Sequence, residues 1–210
     1  MKKAAFIDVD GTVTFGEASW EKIHNYFGLQ DEMQDHSSRY FSGEITYQQW
    51  AELDLALWKG RKIEDIHKAL NPPNLIEEVK EGIDKLKDAG YLTFLISGGI
   101  SIMVDEVKRL IDADFAYSNI IGEHDGLVNG TIEMVVGEKS KLIKRLSKEY
   151  EIDLENSIAI GNDYNDIDMF EIVGKGYAIN PAHQGLIEKS ELVFYSDNFK
   201  DVISDILDYQ

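Results

Sequence analysis

The sequence contains no cysteine, which excludes disulfides, thiolate nucleophiles and zinc–thiolate sites. It also lacks a long apolar run. The run that follows Met1-Lys2-Lys3 ends at Asp8, which is too early for the core of a signal peptide and far too early to span a bilayer. We therefore expect a cytoplasmic protein that does not use a membrane.

Basic residues are scarce, with 21 Lys and Arg against 39 Asp and Glu and a formal net charge of -18. This charge disfavours nucleic acids and anionic membrane surfaces as partners, and it repels anionic substrates. A site for a phosphate ester therefore needs a local positive field, from a bound metal ion or a well-placed lysine.

The chain has 210 residues, of which 43% are apolar, and this is enough for one catalytic core with an insertion. Its recurring unit is a short apolar run, a glycine-containing turn and an amphipathic helix. This pattern predicts an α/β protein with a Rossmann-like parallel sheet flanked by helices. We expect strands at 4–7, 92–96, 157–160 and 177–179. Polar clusters that follow such strands are expected to meet at one edge of the sheet.

Residues 15–72 contain no strand-like run and are too long for a plain crossover loop. Aromatic and apolar residues recur with helical spacing from 46 to 59. We therefore expect a small helical cap domain at 15–72, inserted into a core domain formed by 1–14 and 73–210.

Two local patterns follow the predicted cap. Asn74, with Glu77 three residues later, predicts a capping box that starts a helix ending at Gly90. Alternating apolar residues from 119 to 136 predict a short antiparallel β-ribbon.

Asp8 and Asp10 follow the first predicted strand and precede a Gly11-Thr12 turn. Two carboxylates so close together repel each other unless a cation lies between them. Mg²⁺ prefers oxygen ligands and keeps coordination sites for a substrate phosphate. Asp-x-Asp-Gly alone is ordinary turn chemistry, but its place after a buried strand favours a metal-assisted site.

The second cluster, Ser97-Gly98-Gly99, lies between a predicted strand and a helix that begins near Ser101. A hydroxyl and exposed amides beside a helix N-terminus are typical of a phosphate-binding place. The alternative is an ordinary loop with an N-cap.

Lys139 and Lys141 begin the helix after the predicted ribbon, where the helix dipole disfavours cations. Either can be an ordinary surface lysine. A lysine that holds a phosphoryl group and relieves carboxylate repulsion is tolerated there despite that cost.

The last cluster places Asn162, Asp163, Asn165 and Asp166 at the end of a predicted strand and the opening of a helix. A single acid at such a place is usually an N-cap, whereas four oxygen-bearing side chains exceed what capping needs. They could complete an oxygen-rich magnesium shell.

These four clusters, in this order, resemble the motifs of the haloacid dehalogenase (HAD) superfamily, and specifically its phosphoserine phosphatase-like branch. The resemblance implies a Mg²⁺-dependent phosphatase that hydrolyses a small phosphorylated metabolite through a phospho-aspartyl intermediate. It implies that Asp8 attacks phosphorus, and that Asp10 protonates the leaving group and then deprotonates a water molecule. Lys139 completes the implied catalytic set.

The same resemblance assigns the binding residues. The implied magnesium ligands are Asp8, Asp10 through its main-chain carbonyl, and residues of the last cluster: Asn162, Asp163 and Asp166. The implied substrate-binding residues are Thr12, Glu17, Asp54, Ser97, Gly98, Gly99 and Asn165.

Two departures from the family pattern concern the metal and the substrate. Asn162 stands where the family has an acid that ligates the metal, so either its amide oxygen coordinates or Asp163 takes over. Glu17 matches a glutamate that meets the amino group of phosphoserine, but Asp54 stands where an arginine would hold its carboxylate. An amine-bearing or polyol phosphate is therefore as compatible with this sequence as phosphoserine.

Three alternatives stay open at this point. The chain could transfer the phosphoryl group to an alcohol acceptor, or it could be a catalytically weakened protein that binds a phosphorylated metabolite. A phospho-acceptor receiver domain also gathers acids and a lysine at strand ends, but the helical insertion and the extra length count against it. We expect a monomer or a homodimer.

Overall fold

The computed structural model describes residues 1–209, and a single seven-stranded sheet forms its centre. The strands are β1 (Lys3–Ile7), β2 (Tyr91–Ile100), β3 (Phe115–His124), β4 (Leu127–Glu133), β5 (Ile158–Gly161), β6 (Lys175–Ile179) and β7 (Leu192–Phe194). Their order across the sheet is β4-β3-β2-β1-β5-β6-β7.

Most of the sheet is parallel. Strand β1 pairs in parallel with β2 on one side and β5 on the other, and β6 and β7 continue in parallel beyond β5. Strand β3 begins parallel to β2 and then pairs antiparallel with β4. The predicted α/β fold is confirmed, and the predicted ribbon is the antiparallel edge of the main sheet.

The apolar run of β1 is continuous because both of its faces are covered. Ala5 and Ile7 pack into the apolar cluster on one face, and Ala4 and Phe6 into the cluster on the other. All four side chains are fully buried. A strand buried on both faces is typical of a parallel sheet between helical layers.

Ten α-helices surround the sheet in the described residues. Four precede β2 within 15–72: α1 (Ser19–Phe27), α2 (Gln30–Phe41), α3 (Tyr47–Trp58) and α4 (Ile63–Leu70). The other six are α5 (Val79–Asp88), α6 (Ser101–Ile111), α7 (Lys139–Glu149), α8 (Ile167–Phe170), α9 (Gln184–Lys189) and α10 (Phe199–Tyr209). Within 1–209, no helix combines the length and the apolar character that crossing a bilayer requires.

The helical segment before β2 has its own local stabilisation. Thr46 accepts a hydrogen bond from the main-chain nitrogen of Gln49, whose side chain bonds back to Thr46, so α3 begins with a capping box. Ile23, Leu55 and Trp58 are fully buried between these helices and the core. On this basis we propose that 15–72 is a cap domain and that 1–14 and 73–210 form the core domain.

The predicted capping box at Asn74 and Glu77 is wrong. Helix α5 begins at Val79, after Glu78 in the left-handed region with a φ of 52°. The main chain of Glu77 instead accepts a hydrogen bond from the nitrogen of Phe199 (2.9 Å). Pairing with a distant segment therefore overrides the local capping pattern.

Candidate active site

Asp8 lies directly beyond the carboxyl end of β1 and is 4% exposed. Its main-chain nitrogen donates to the carbonyl oxygen of Ile160 in β5 (2.9 Å), so the parallel pairing fixes its position. Thr12 is fully buried, and its Oγ1 donates to Asp8 Oδ2 (3.2 Å).

Lys139 is the first residue of α7 and is 3% exposed. Its Nζ donates to Asp8 Oδ1 and to Asp166 Oδ1, the latter at 2.6 Å. Burial disfavours the ammonium, but the two carboxylates outweigh it and raise the pKa of Lys139 above its ordinary value. The lysine therefore stays positively charged between two buried acids.

The same contacts perturb Asp8. Burial raises the pKa of Asp8 from 3.8 to about 7, against the lowering effect of the Lys139 ammonium, and the Asp166 carboxylate adds to the rise. One ammonium thus serves two buried carboxylates, which leaves an excess of negative charge at this place.

Asp166 is fully buried, and its carboxylate accepts from three donors. Besides Lys139, it accepts hydrogen bonds at Oδ2 from the main-chain nitrogens of Asn162 (2.8 Å) and Asp163 (3.0 Å). The carboxylate therefore holds the loop after β5 and the lysine together.

Asp10 is held by Ser19, the first residue of α1. The Ser19 main-chain nitrogen donates to Oδ1 (3.2 Å) and its hydroxyl donates to Oδ2 (3.1 Å). Burial raises the pKa of Asp10, and the two Ser19 hydrogen bonds oppose that rise. A Cβ at Gly99 would lie 2.6 Å from Asp10 Oδ2, so the glycine makes this approach possible.

The side-chain amide of Asn162 faces three oxygens. The amide atom nearest them lies 3.1 Å from the main-chain oxygen of Asp10 and 3.3 Å from Asp8 Oδ2 and Thr12 Oγ1. An amide nitrogen in that place has two hydrogens to donate to these oxygens. An amide oxygen there can accept only from the Thr12 hydroxyl and needs a cation between it and the other two oxygens. Gly11 is required beside it, because a Cβ there would lie 2.1 Å from the amide.

These donors fit Mg²⁺ in their chemistry. One carboxylate oxygen of Asp8, the main-chain oxygen of Asp10 and the amide oxygen of Asn162 converge, and all three are hard oxygen ligands. In the part of the chain that the structure describes, no three His, Cys, Asp or Glu side chains form a metal-binding group. The fit therefore depends on mixed donors, with places left for water and a substrate phosphate.

Ser97, Gly98 and Gly99 lie in the last part of β2, where the pairing with β3 shifts register. The nitrogen of Gly99 donates to Ser97 Oγ (2.9 Å). The Gly98 carbonyl accepts from Trp20 Nε1 (3.0 Å) and the Tyr47 hydroxyl (3.2 Å). Two side chains of the helical segment 15–72 thus bond directly to this part of the core.

A cavity of about 390 Å³ lies between the strand ends and the helical segment. The predicted site residues that line it are Asp8, Asp10, Asp54, Ser97, Gly98, Gly99, Asn162, Asp163 and Asn165. Lys139 lines an adjoining cavity together with Gly98 and Asn165. Thr12 and Asp166 lie behind the cavity wall and contact the residues that line it.

Two predicted residues are placed differently from the rest. Glu17 is exposed, does not line the cavity, and accepts a hydrogen bond from Asn25 Nδ2 (2.8 Å). Asp163 lines the cavity, but its Oδ1 accepts from the nitrogen of Tyr164 (2.7 Å), as an N-cap does. Of the two candidate ligands in this loop, Asn162 is therefore the one directed at Asp8 and Asp10.

Sequence reasoning missed three polar residues at this site. Ser19 is fully buried against Asp10, and His24 and His36 contact Asp54. They lie in two separate helices and carry no motif spacing relative to the acids. Only the packing of the helical segment reveals them.

The family model of haloacid dehalogenase-like hydrolases matches residues 5–207. A phosphoserine phosphatase of Methanocaldococcus jannaschii is 27% identical over 205 residues, which is 96% of each chain. One of Archaeoglobus fulgidus is 29% identical over 91% of this chain and 58% of its own length.

Solved structures of phosphoserine phosphatases are also similar to this chain. A phosphoserine phosphatase determined as a phospho-aspartyl intermediate analogue has 26% identity and a TM-score of 0.83, over 99% of this chain and 98% of its own. The phosphoserine phosphatase of T. onnurineus has 25% identity and a TM-score of 0.78, over 98% of this chain and 94% of its own. With the family model covering nearly the whole sequence, this chain belongs to the haloacid dehalogenase-like hydrolases.

Proposed function

We propose that this chain is a Mg²⁺-dependent phosphatase that hydrolyses a small phosphomonoester through a phospho-aspartyl intermediate on Asp8. The observation that carries the proposal is the buried contact of Lys139 with Asp8 and Asp166 at the carboxyl end of β1. Relatives over most of the chain are phosphoserine phosphatases, which supports a phosphoric monoester as substrate.

Asp8 is the nucleophile in this proposal. One of its carboxylate oxygens attacks phosphorus, the bond from phosphorus to the ester oxygen breaks, and the phosphoryl group stays on Asp8. Asp10 donates a proton to the departing alkoxide, for which its raised pKa is suited. Asp10 then takes a proton from water, and the water oxygen attacks phosphorus. The bond from Asp8 to phosphorus breaks, which releases inorganic phosphate and restores the Asp8 carboxylate.

The other residues of the site position Asp8 and the phosphoryl group and offset their negative charge. Lys139 keeps Asp8 directed at the cavity and offsets the charge of the phosphoryl oxygens. The Ser97 hydroxyl and the Gly98 amide supply donors at the end of β2, and Gly99, whose nitrogen donates to Ser97 Oγ, holds that hydroxyl in place. Asp8, the Asp10 carbonyl and Asn162 would hold Mg²⁺, which supplies positive charge for the phosphate when bound.

The test is hydrolysis of p-nitrophenyl phosphate with and without Mg²⁺. Asp8→Asn removes the nucleophile, and we expect kcat to fall by about a thousandfold or more. Asp205→Asn makes the same chemical change at an exposed position of α10 and serves as the matched control. Equal turnover by Asp8→Asn and Asp205→Asn would exclude the proposal.

One observation favours a second candidate. Asn162 supplies no charge among the oxygens that fit Mg²⁺, where the family pattern has an acid, so the protein could bind a phosphorylated metabolite with little turnover. Tight phosphate-ester binding without release of phosphate from any ester tested would support that candidate.

A further inference from the structure

The substrate cavity carries an unusual charge distribution. Five acidic side chains line it and, in the described part of the chain, no lysine, arginine or histidine does. The acids are Asp8, Asp10, Glu21, Asp54 and Asp163. Mg²⁺ and Lys139 would serve the phosphate end only. At the end formed by the helical segment, none of the described lysines, arginines or histidines lines the cavity to face a substrate carboxylate.

Asp54 is the central acid of that end. It is 2% exposed, yet it lines the cavity. His36 Nδ1 lies 2.6 Å from Asp54 Oδ1 and His24 Nε2 lies 3.4 Å from the same oxygen. Both histidine contacts of this carboxylate are to Oδ1, and none of the described residues donates a hydrogen bond to Oδ2.

The two histidines hold Asp54 from behind, because neither lines the cavity. His24 Nδ1 lies 2.9 Å from the carbonyl oxygen of Trp20, which fixes the orientation of the ring. His24 Nε2 is buried and makes no hydrogen bond with the described residues. The carboxylate is thus fixed in orientation and only partly satisfied.

Aromatic rings complete this end of the cavity. Trp20, Phe41, Tyr47, Trp50 and Tyr164 all line it. Phe41 lies edge-on to Trp50 (6.1 Å between ring centroids) and to Tyr164 (5.9 Å), and Tyr47 lies edge-on to Trp50 (6.2 Å). Phe41 remains 67% exposed, which is not how a ring that only fills a core is placed.

A carboxylate in a cavity lined by aromatic rings favours a positively charged group. A cation gains from the ring faces and from the carboxylate, whereas an anion is repelled by both. We infer that the substrate is the phosphate monoester of an amino alcohol, with a primary or quaternary ammonium against Asp54 and the aromatic rings. This inference rests on the proposed phosphatase function. The inferred substrate differs from phosphoserine in that it carries an ammonium group but no carboxylate.

The experiment compares four phosphate esters on the wild-type enzyme: phosphoethanolamine, phosphocholine, glycerol 3-phosphate and phosphoserine. We expect kcat/KM for at least one cationic ester to exceed that for glycerol 3-phosphate by about tenfold, with phosphoserine below both. A preference for phosphoserine or glycerol 3-phosphate would overturn the inference.

Two variants test whether Asp54 causes the preference for cationic esters. Asp54→Asn removes the charge, and we expect the cationic-to-neutral ratio of kcat/KM to fall about tenfold. Glu52→Gln removes an exposed acid from the same helix and should leave that ratio unchanged. An unchanged ratio in Asp54→Asn would overturn the inference. If Asp54→Asn does not fold, Trp50→Leu is expected to lower the same ratio, and the wild-type comparison still decides.

Failure of the inference can be told apart from failure of the proposed function. Turnover of p-nitrophenyl phosphate without a cationic preference removes only the inference. If no ester is turned over, calorimetry with the Asp8→Asn variant still measures whether phosphocholine or phosphoethanolamine binds more tightly than glycerol 3-phosphate. Equal affinities there would overturn the inference independently of catalysis.

Discussion

The side-chain amide of Asn162 lies 3.1 Å from the main-chain oxygen of Asp10. The contact places a neutral amide among the oxygens that fit Mg²⁺, next to Asp8. When the amide nitrogen faces these oxygens, its hydrogens interact with them in the way that a bound Mg²⁺ would. Metal binding must then turn the amide so that its oxygen faces the ion.

We therefore predict that Asn162→Asp strengthens Mg²⁺ binding. A carboxylate adds a negative charge to the ligand set and cannot donate to the Asp10 oxygen, so the competing metal-free arrangement is lost. We expect the dissociation constant for Mg²⁺, measured by calorimetry with the metal alone, to fall by about tenfold. Asn74→Asp adds the same charge at an exposed position and should leave it unchanged. Weaker or equal binding by Asn162→Asp would contradict the assignment.

The sequence predicted those parts of the site that depend on local pattern. Apolar runs that end in polar clusters placed Asp8, Asp10 and Ser97 correctly, because a parallel sheet brings the carboxyl ends of its strands to one edge. The role of Lys139 came from the family resemblance, since the local sequence shows only a lysine at a helix start. Its contact with Asp166 depends on how α7 packs.

Other features could not be read from the sequence, because distant packing decides them. Strand β7 is three half-buried residues without alternation, and Glu77 bonds to Phe199 instead of capping a helix. His24 and His36 approach Asp54 only when α1, α2 and α3 pack together. Glu17 was predicted to bind substrate, but the chain turns it outward toward Asn25.

Removal of the Lys139 ammonium should destabilise the protein strongly. Lys139→Met leaves Asp8 and Asp166 buried without their shared cation. We expect the free energy of unfolding in a chelator, measured by urea denaturation, to fall by about 3 kcal/mol. Lys141→Met removes an exposed lysine from the same helical turn, and a loss below about 0.5 kcal/mol is expected there. Similar losses in both variants would show that the buried contact contributes little.

The raised pKa of Asp8 predicts a pH-dependent effect on stability. In the metal-free protein the folded state binds this proton more tightly than the unfolded state, because the pKa rises from 3.8 to about 7. The stability of the wild-type protein therefore falls as the pH rises from about 4 to about 7. Asp8→Asn removes this pH-dependent loss of stability. The free energy of unfolding of Asp8→Asn relative to the wild type is therefore least raised near pH 4 and most raised above pH 7.

Urea denaturation in a chelator at pH 5 and pH 8 measures this effect. We expect the advantage of Asp8→Asn to be greater at pH 8 than at pH 5 by about 1 kcal/mol or more, since one pKa unit corresponds to about 1.4 kcal/mol. Asp205→Asn should show no such difference, because its side chain is exposed. An advantage that is equal at both pH values would contradict the raised pKa.

Ser19 is predicted to position Asp10 for proton transfer. Ser19→Ala removes the hydroxyl that donates to Asp10 Oδ2, and the main-chain bond to Oδ1 stays. The same hydroxyl accepts from the nitrogen of Ile100 (3.1 Å), so the substitution also loosens Asp10 relative to the end of β2. We expect kcat for p-nitrophenyl phosphate to fall by about tenfold to a hundredfold, with little change in KM, because proton transfer is sensitive to geometry.

Ser147→Ala, in which the lost hydroxyl donates only to the carbonyl oxygen of Lys144, is the matched control and should keep the wild-type kcat. Ser19→Thr retains the hydroxyl and should recover part of the lost rate, which a purely structural role for Ser19 does not predict. A rise in KM with an unchanged kcat in Ser19→Ala would instead assign Ser19 to substrate binding. Because leaving-group protonation matters less for nitrophenolate than for an alkoxide, the loss should be larger with an alkyl phosphate, and this difference assigns the defect to Asp10.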